Sequence, residues 1–410
     1  MDIQSKMQEK LTDRRNNTVD ILRGFSIISV VLFHLQIRVP FSGSYIGSLI
    51  PKMFYSFLFR SGYFGVCMFF VISGFLITTT ALNRWIELPK INLKAFYTFR
   101  FARIIPLLVG LLIIISILHL CNVKDYVIDP DKVSLGRSLL GAITFHVNWL
   151  EMKVSYLPGS WDVLWTLSVE EAFYIAFPLL CIVFRKEKNL TLLVLVFLII
   201  SPLARALWFQ EELGEKNNFA YLDILSIGCI AAVVAKRIEI KERELNFMKF
   251  FGWGLILFIV LFRFLAYQWK LTEMGLNITV LAIGTSLVLI TSQQDFMKER
   301  QTPSKITAWF RFYGKNSYEI YLTHMFVVLG LAPLFKIWNF SATWIPVLYL
   351  IVLAASGILG NTIARYFSNP LNYKIRKHFK SKSHPVMTTQ EETIILHSPI
   401  GTELSENISD

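Results

Sequence analysis

The chain has 410 residues, 54% of them hydrophobic and 14% aromatic, and only 17% charged; a soluble domain carries about 25% charged residues. With a mean hydropathy of +0.50, this composition excludes a soluble enzyme on a single anchor and describes an all-α polytopic membrane protein. The formal charge of +12 is spread over short loops between apolar runs, which is the positive-inside pattern and not a nucleic-acid-binding face.

Taken in order, apolar spans are predicted near 21–39, 63–82, 104–120, 163–184, 189–209, 219–235, 249–267, 275–292, 316–334 and 344–366. Each is about long enough to cross a hydrocarbon core of roughly 30 Å. About ten transmembrane helices place both termini on one side. The segments 1–23, 83–103, 185–188, 236–249, 293–315 and 371–410 hold 28 lysines and arginines, against 11 in the alternate segments. The richer set, with both termini, is expected to be cytoplasmic. The first span lacks a small-residue cleavage site and is not expected to be a removable signal. Ser138 to Leu150 is apolar but short, and is expected to re-enter or lie on the outer surface. The domain plan is then a short segment 1–17, a membrane domain 18–370, and a tail 371–410. The tail starts with a basic run, Lys374 to Lys382, suited to anionic head groups, and turns acidic and disordered. The four cysteines form no ligand pattern, and no metal site is expected.

The first span carries Arg23 and His34, eleven residues apart. At roughly 100° per residue both fall on nearly one face, about 16 Å apart along the axis. An ionisable residue near mid-membrane is by default a functional-site hypothesis. The second span places Gly62, Gly65 and Gly74 for close helix approach, with Ser73 as a site hydroxyl that has no sequence-evident base. Arg100 and Arg103 share a face at i and i+3, suited to gripping a phosphate or to ordinary interfacial anchoring. Glu170 and Glu171 are adjacent, so at least one points into the bundle to meet a proton or a partner. Ser317, Tyr318, Glu319, Tyr321 and His324 begin the ninth span, and Asp223 lies near the outer end of the sixth. This set fits a membrane-embedded transferase or a proton-coupled or anion transporter.

Six stretches in order make the chain similar to a known family. They are ILRGFSIISVVLFH, with Arg23 and His34, FFVISGF at 69–75, RFAR at 100–103 followed by Pro106, WTLSVEEAFYIAFP at 165–178, YLDILSIG at 221–228 and SYEIYLTH at 317–324. Together they resemble the acyltransferase-3 family of integral-membrane acyltransferases, over about 18 to 370. The resemblance implies transfer of an acyl group, most often acetyl, from cytosolic acetyl-CoA or another acyl-CoA to a carbohydrate hydroxyl. Acceptors in such a family are lipopolysaccharide O-antigens, other surface polysaccharides and lipid-linked glycans, and the expected location is the bacterial cytoplasmic (inner) membrane.

By the same analogy Arg23, His34 and Glu170 are catalytic, Arg100 and Arg103 engage the donor, and Ser73, Tyr321, His324 and Asp223 line the substrate cavity. His34 is either a general base or a transient acyl carrier. Partners are membrane lipids, the glycan acceptor, acyl-CoA and, where no fused hydrolase-like domain completes the transfer, a separate periplasmic transferase; nucleic acid is not expected. The chain departs from the family pattern in two places. Ser368-Asn369-Pro370 stands where a Glu-x-Pro is usual, and Tyr221 stands where an arginine often precedes the aspartate by two positions.

Overall fold

The computed structural model describes residues 15–185, 187–208 and 214–382, and among them it contains helices and turns but no strand. The acidic part of the tail, 383–410, and most of segment 1–17 lie outside the described residues. Helix α1 (Asn17–Arg38) starts where the Asn16 side chain accepts from the amides of Thr18 and Val19 at 3.1 and 3.3 Å. This caps donors that the helix itself leaves unpaired. There follow α2 (Gly62–Trp85), α3 (Leu93–Leu120), the short α4 (Leu135–Ile143) and α5 (Val147–Val154), then α6 (Leu164–Val183) and α7 (Glu187–Trp208). The second half contains α8 (Leu222–Arg237), α9 (Glu242–Leu261), α10 (Leu276–Met297), α11 (Ala308–Lys315), α12 (Ser317–Ile337) and α13 (Ile345–Ile363). A π-helical turn at Ala364–Ser368 leads from α13 into α14 (Asn369–Lys382).

Nine helical stretches among the described residues are long and apolar enough to cross a membrane, and Leu192–Trp208 within α7 is a shorter apolar run. The chain is an integral, multi-pass, all-helical membrane protein. Every predicted span coincides with a helix, but two limits move. Helix α3 starts at Leu93, because the Asn92 side chain accepts from Ala95 N at 2.9 Å, so Arg100 and Arg103 lie well inside a helix and not at its first turn. The seventh predicted span breaks after Leu261 into a short second helix, Arg263–Gln268.

Small residues set how closely the helices approach, as the glycines of the second span suggested. A Cβ on Gly74 of α2 would stand 2.0 Å from the Leu225 carbonyl oxygen, and one on Gly228 of α8 would stand 2.1 Å from that of Val71. The two backbones therefore touch reciprocally. Helices α1 and α11 repeat the device: a Cβ on Gly24 would meet Phe310 O at 2.0 Å, and one on Gly314 would meet Asp20 O at 1.8 Å. Against these contacts α1 sits centrally, packed on α2, α11, α12 and α13.

Segment 138–150 breaks at residues 144–146, between two helices of 9 and 8 residues, neither long enough to span. It is stitched to the start of α6, where Val147 N donates to Ser168 Oγ at 3.2 Å, and to the 214–218 turn, where Asn148 Nδ2 donates to Lys216 O at 3.0 Å.

Candidate functional site

A cavity of about 330 Å³ opens among α1, α2, α3, α6, α12 and α14. Its wall includes Arg23, Ser73, Arg100, Arg103, Glu170 and Tyr321, so five helices deliver six of the sequence-predicted residues to one space. Arg84 and Arg376 line it too. Five arginines against one lining acid, Glu170, make it a cationic cavity.

The polar residues hold one another in place. Arg23 Nε donates to Ser317 Oγ at 3.0 Å, which joins the second turn of α1 to the start of α12. Arg100 pairs with Glu171 at 3.2 Å and Arg103 with Glu319 at 3.1 Å. Both arginines remain more than a quarter exposed, whereas the acids are nearly closed off. Each guanidinium also lies by an aromatic ring: Arg100 is 3.5 Å from the Tyr174 centroid and Arg103 is 5.0 Å from that of Tyr318. Such contacts fix the planar group while leaving N–H edges available. Indeed Arg100 Nε is buried with no hydrogen-bond partner among the described residues.

The two adjacent glutamates therefore take different jobs. While Glu171 anchors Arg100, Glu170 turns into the cavity and accepts from Ser73 Oγ at 2.5 Å. The Ser73 hydroxyl is also hydrogen-bonded to Tyr174. Ser73 thus has the acid–base neighbour that the sequence did not reveal. Tyr174 was overlooked although it stands four residues after Glu170, one turn along the same face.

His34 and His324 are not among the cavity-lining residues; they meet each other beside it. His324 Nε2 lies 3.4 Å from His34 Nδ1, and the ring centroids are 5.0 Å apart. Tyr321 connects them to the cavity: its ring lines the wall and stands 5.9 Å from the His324 ring. The Tyr321 hydroxyl accepts from Thr166 at 2.7 Å and donates to Val163 O at 3.1 Å, locking the partition.

Backbone carbonyls set the tautomers of the pair. A carbonyl only accepts, so the 2.9 Å approach of His34 Nδ1 to Val30 O puts a hydrogen on Nδ1. The same argument places one on His324 Nδ1, 2.7 Å from Tyr321 O. The one hydrogen on His34 Nδ1 is then shared between Val30 O at 2.9 Å and His324 Nε2, which accepts at 3.4 Å. In the neutral ring His34 Nε2 keeps its lone pair, the feature a general base or acyl carrier needs.

Asp223, expected in the substrate cavity, is elsewhere. It is completely buried and gripped by Arg205, with Nη1–Oδ1 at 2.9 Å and Nη2–Oδ2 at 2.7 Å, while Thr279 Oγ1 donates to Oδ2 at 2.6 Å. Arg205 Nε donates to Gly275 O at 2.7 Å. The arginine missing two positions before Asp223 is thus supplied by α7, whose Arg205 lies inside the bundle. A buried acid without a partner is too costly to keep, which explains the placement.

At the end of the bundle away from the arginines, Lys216 joins Glu151 and Asp162, and Arg38 pairs with Asp125 at 2.8 Å. Burial, then the charge of Asp162, pushes the Glu151 carboxyl up to about 8. Two carboxylates share a single ammonium, so the second charge is poorly compensated.

Fold and site together describe an integral-membrane protein with a cationic cavity next to a histidine pair. Residues 16–366 match the family model of the acyltransferase-3 domain, described as an acyltransferase domain, and the chain belongs to that family. It is similar to the peptidoglycan O-acetyltransferase OatA of Listeria monocytogenes, 26% identical over 402 residues, which are 90% of this chain and 59% of that protein. The O-acetyltransferase OatA of Staphylococcus aureus is 23% identical over 400 residues, covering 91% and 60%. The chain spans about three fifths of the length of these relatives. No solved structure matches it.

Proposed function

We propose that this protein transfers an acetyl group from acetyl-CoA, entering at the arginine-rich end, to a hydroxyl of a cell-wall or surface glycan approaching from the other side of the bacterial cytoplasmic membrane. The arginine-rich end then faces the cytoplasm, in line with the lysine and arginine distribution. One observation carries the reading: in a chain of the acyltransferase-3 family, a cavity with five arginines reaches Tyr321, beside the His34–His324 pair. Cations at one end suit a phosphate-bearing donor, and a nitrogen lone pair suits proton transfer. The Listeria relative acts on peptidoglycan by its name, which makes a cell-wall glycan the first acceptor to try.

In the proposed reaction the acceptor oxygen attacks the thioester carbonyl while His34 Nε2 takes the hydroxyl proton. The tetrahedral intermediate collapses to the ester and expels the CoA thiolate, which recovers the proton from His34. His324 steadies the imidazole by accepting from Nδ1–H. Arg100 and Arg103, held by Glu171 and Glu319, attract the donor, Arg23 joins them at the start of α12, and Glu170 with Ser73 polarises the cavity wall near the acyl group.

The test is purified protein in liposomes supplied with acetyl-CoA and a glycan acceptor, chitotetraose or muramyl glycan. Free CoA thiol and acetyl ester should appear in equal amounts. Movement of an anion across the bilayer with no thioester consumed would overturn the reading in favour of a transporter.

A further inference from the structure

Two of the five cavity arginines have no role in the reaction just described. Arg84 stands in the last turn of α2 and Arg376 on α14, beyond the final span. Both line the cavity, and both lie by one ring, their guanidinium carbons 3.9 and 5.3 Å from the Phe99 centroid. The two cations can therefore be no farther apart than those two distances combined. Helix α14 is held there by Phe379, whose ring is 6.1 Å from Phe99. The basic run read from sequence as a lipid contact thus contributes to the cavity wall.

Distance along α2 then describes the ligand. Ser73, which meets Glu170, and Arg84 are eleven residues apart, about 16 Å along the helix axis. The residues of α2 that line the cavity between them, Leu76, Ile77, Thr80 and Ala81, carry no charge. A molecule filling this path has an anionic head at Arg84 and Arg376, a long uncharged arm, and its reacting group near Ser73. Arginine binds phosphate oxygens bidentately, and a pair of them suits a head with more than one phosphate.

We propose that Arg84 and Arg376, both packed by the Phe99 ring, form a phosphate-binding site at the cavity mouth for the nucleotide head of the acyl donor. The inference rests on the donor reading above. It assigns α14 to substrate binding and divides the arginines into a mouth pair for the head and a deeper group for the arm and acyl end.

The experiment uses the full chain in nanodiscs of phosphatidylcholine, with adenosine 3′,5′-bisphosphate and S-acetylpantetheine as separate probes. Arg84→Gln and Arg376→Gln should each weaken adenosine bisphosphate binding about tenfold or more. Binding of S-acetylpantetheine, which lacks the head, should be unchanged, and this also shows that the variants fold. Arg84→Lys and Arg376→Lys should recover part of the loss, because charge remains and the fork does not. Equal bisphosphate binding by wild type and the glutamine variants, or equal loss of both probes, would overturn the site. In discs containing phosphatidylglycerol the bisphosphate affinity should hold; a tenfold loss there would assign the mouth to a lipid head group instead. If the mouth behaves as expected but acetyl-CoA supports no acetylation, the donor reading falls while the phosphate site stands.

Discussion

Replacing Asp223 by asparagine distinguishes a structural residue from a catalytic one. The substitution keeps shape but leaves the Arg205 guanidinium charged and uncompensated, at a position where both side chains are fully buried. One bidentate contact, with arms of 2.9 and 2.7 Å, and the 2.6 Å Thr279 bond converge on this carboxylate. Breaking a buried ion pair by removing one partner costs about 3–5 kcal/mol. At about 2–4 °C per kcal/mol for a domain of 150–250 residues, that is a fall in melting temperature of roughly 6–20 °C, nearer the lower figure for a longer chain. Thermal unfolding in nanodiscs measures it, together with turnover well below the new melting point. The pair Arg205→Met with Asp223→Leu should restore much of the loss, because it removes both charges and not just one. An Asp223→Asn protein that melts like wild type yet turns over slowly would refute the structural assignment and return Asp223 to the reaction.

Three other outcomes follow from the geometry. His324→Phe removes the acceptor facing His34 Nδ1–H, so kcat should fall on the order of tenfold or more with KM unchanged, and His324→Gln, which can still accept, should recover part of it; an unchanged kcat in His324→Phe would separate the two histidines. Because the folded-state carboxyl of Glu151 is raised to about 8 from its usual 4.5, the folded state binds the extra proton, and stability linked to it is complete below 4.5 and is lost as pH rises through 8. Melting temperature should therefore decline from about pH 5 to pH 8.5, and Glu151→Gln should flatten that decline; parallel slopes in the two proteins would contradict the assignment. Gly74→Ala puts a methyl where only 2.0 Å separates it from Leu225 O, forcing α2 and α8 apart at a cost of about 1–3 kcal/mol or more, whereas Gly254→Ala, inside α9 with nothing within 4 Å, should hold or slightly raise the melting temperature, because alanine is favoured over glycine in a helix.

The helices were legible because lipid-spanning length and hydropathy are local properties. Depth was legible as well, since a fixed rise per residue put His34 about 16 Å along the axis from Arg23. Which charges pair was not legible. Arg100 with Glu171, Arg103 with Glu319 and Arg205 with Asp223 depend on how helices far apart in sequence rotate against each other. That is why Asp223 resembled a cavity acid when its partner lay on another helix. Arg84 and Arg376 escaped because a cation at the end of a span reads as a positive-inside anchor whether or not a cavity opens there.

The most direct test of the whole account is acetyl transfer by a His34→Ala protein that still inserts in the membrane, scored with radiolabelled acetyl-CoA and a glycan acceptor. With the Nε2 lone pair gone, transfer should drop by about 10²–10⁴-fold, while adenosine 3′,5′-bisphosphate binds as it does to the wild type. Wild-type transfer by the His34→Ala protein would contradict the account at its centre.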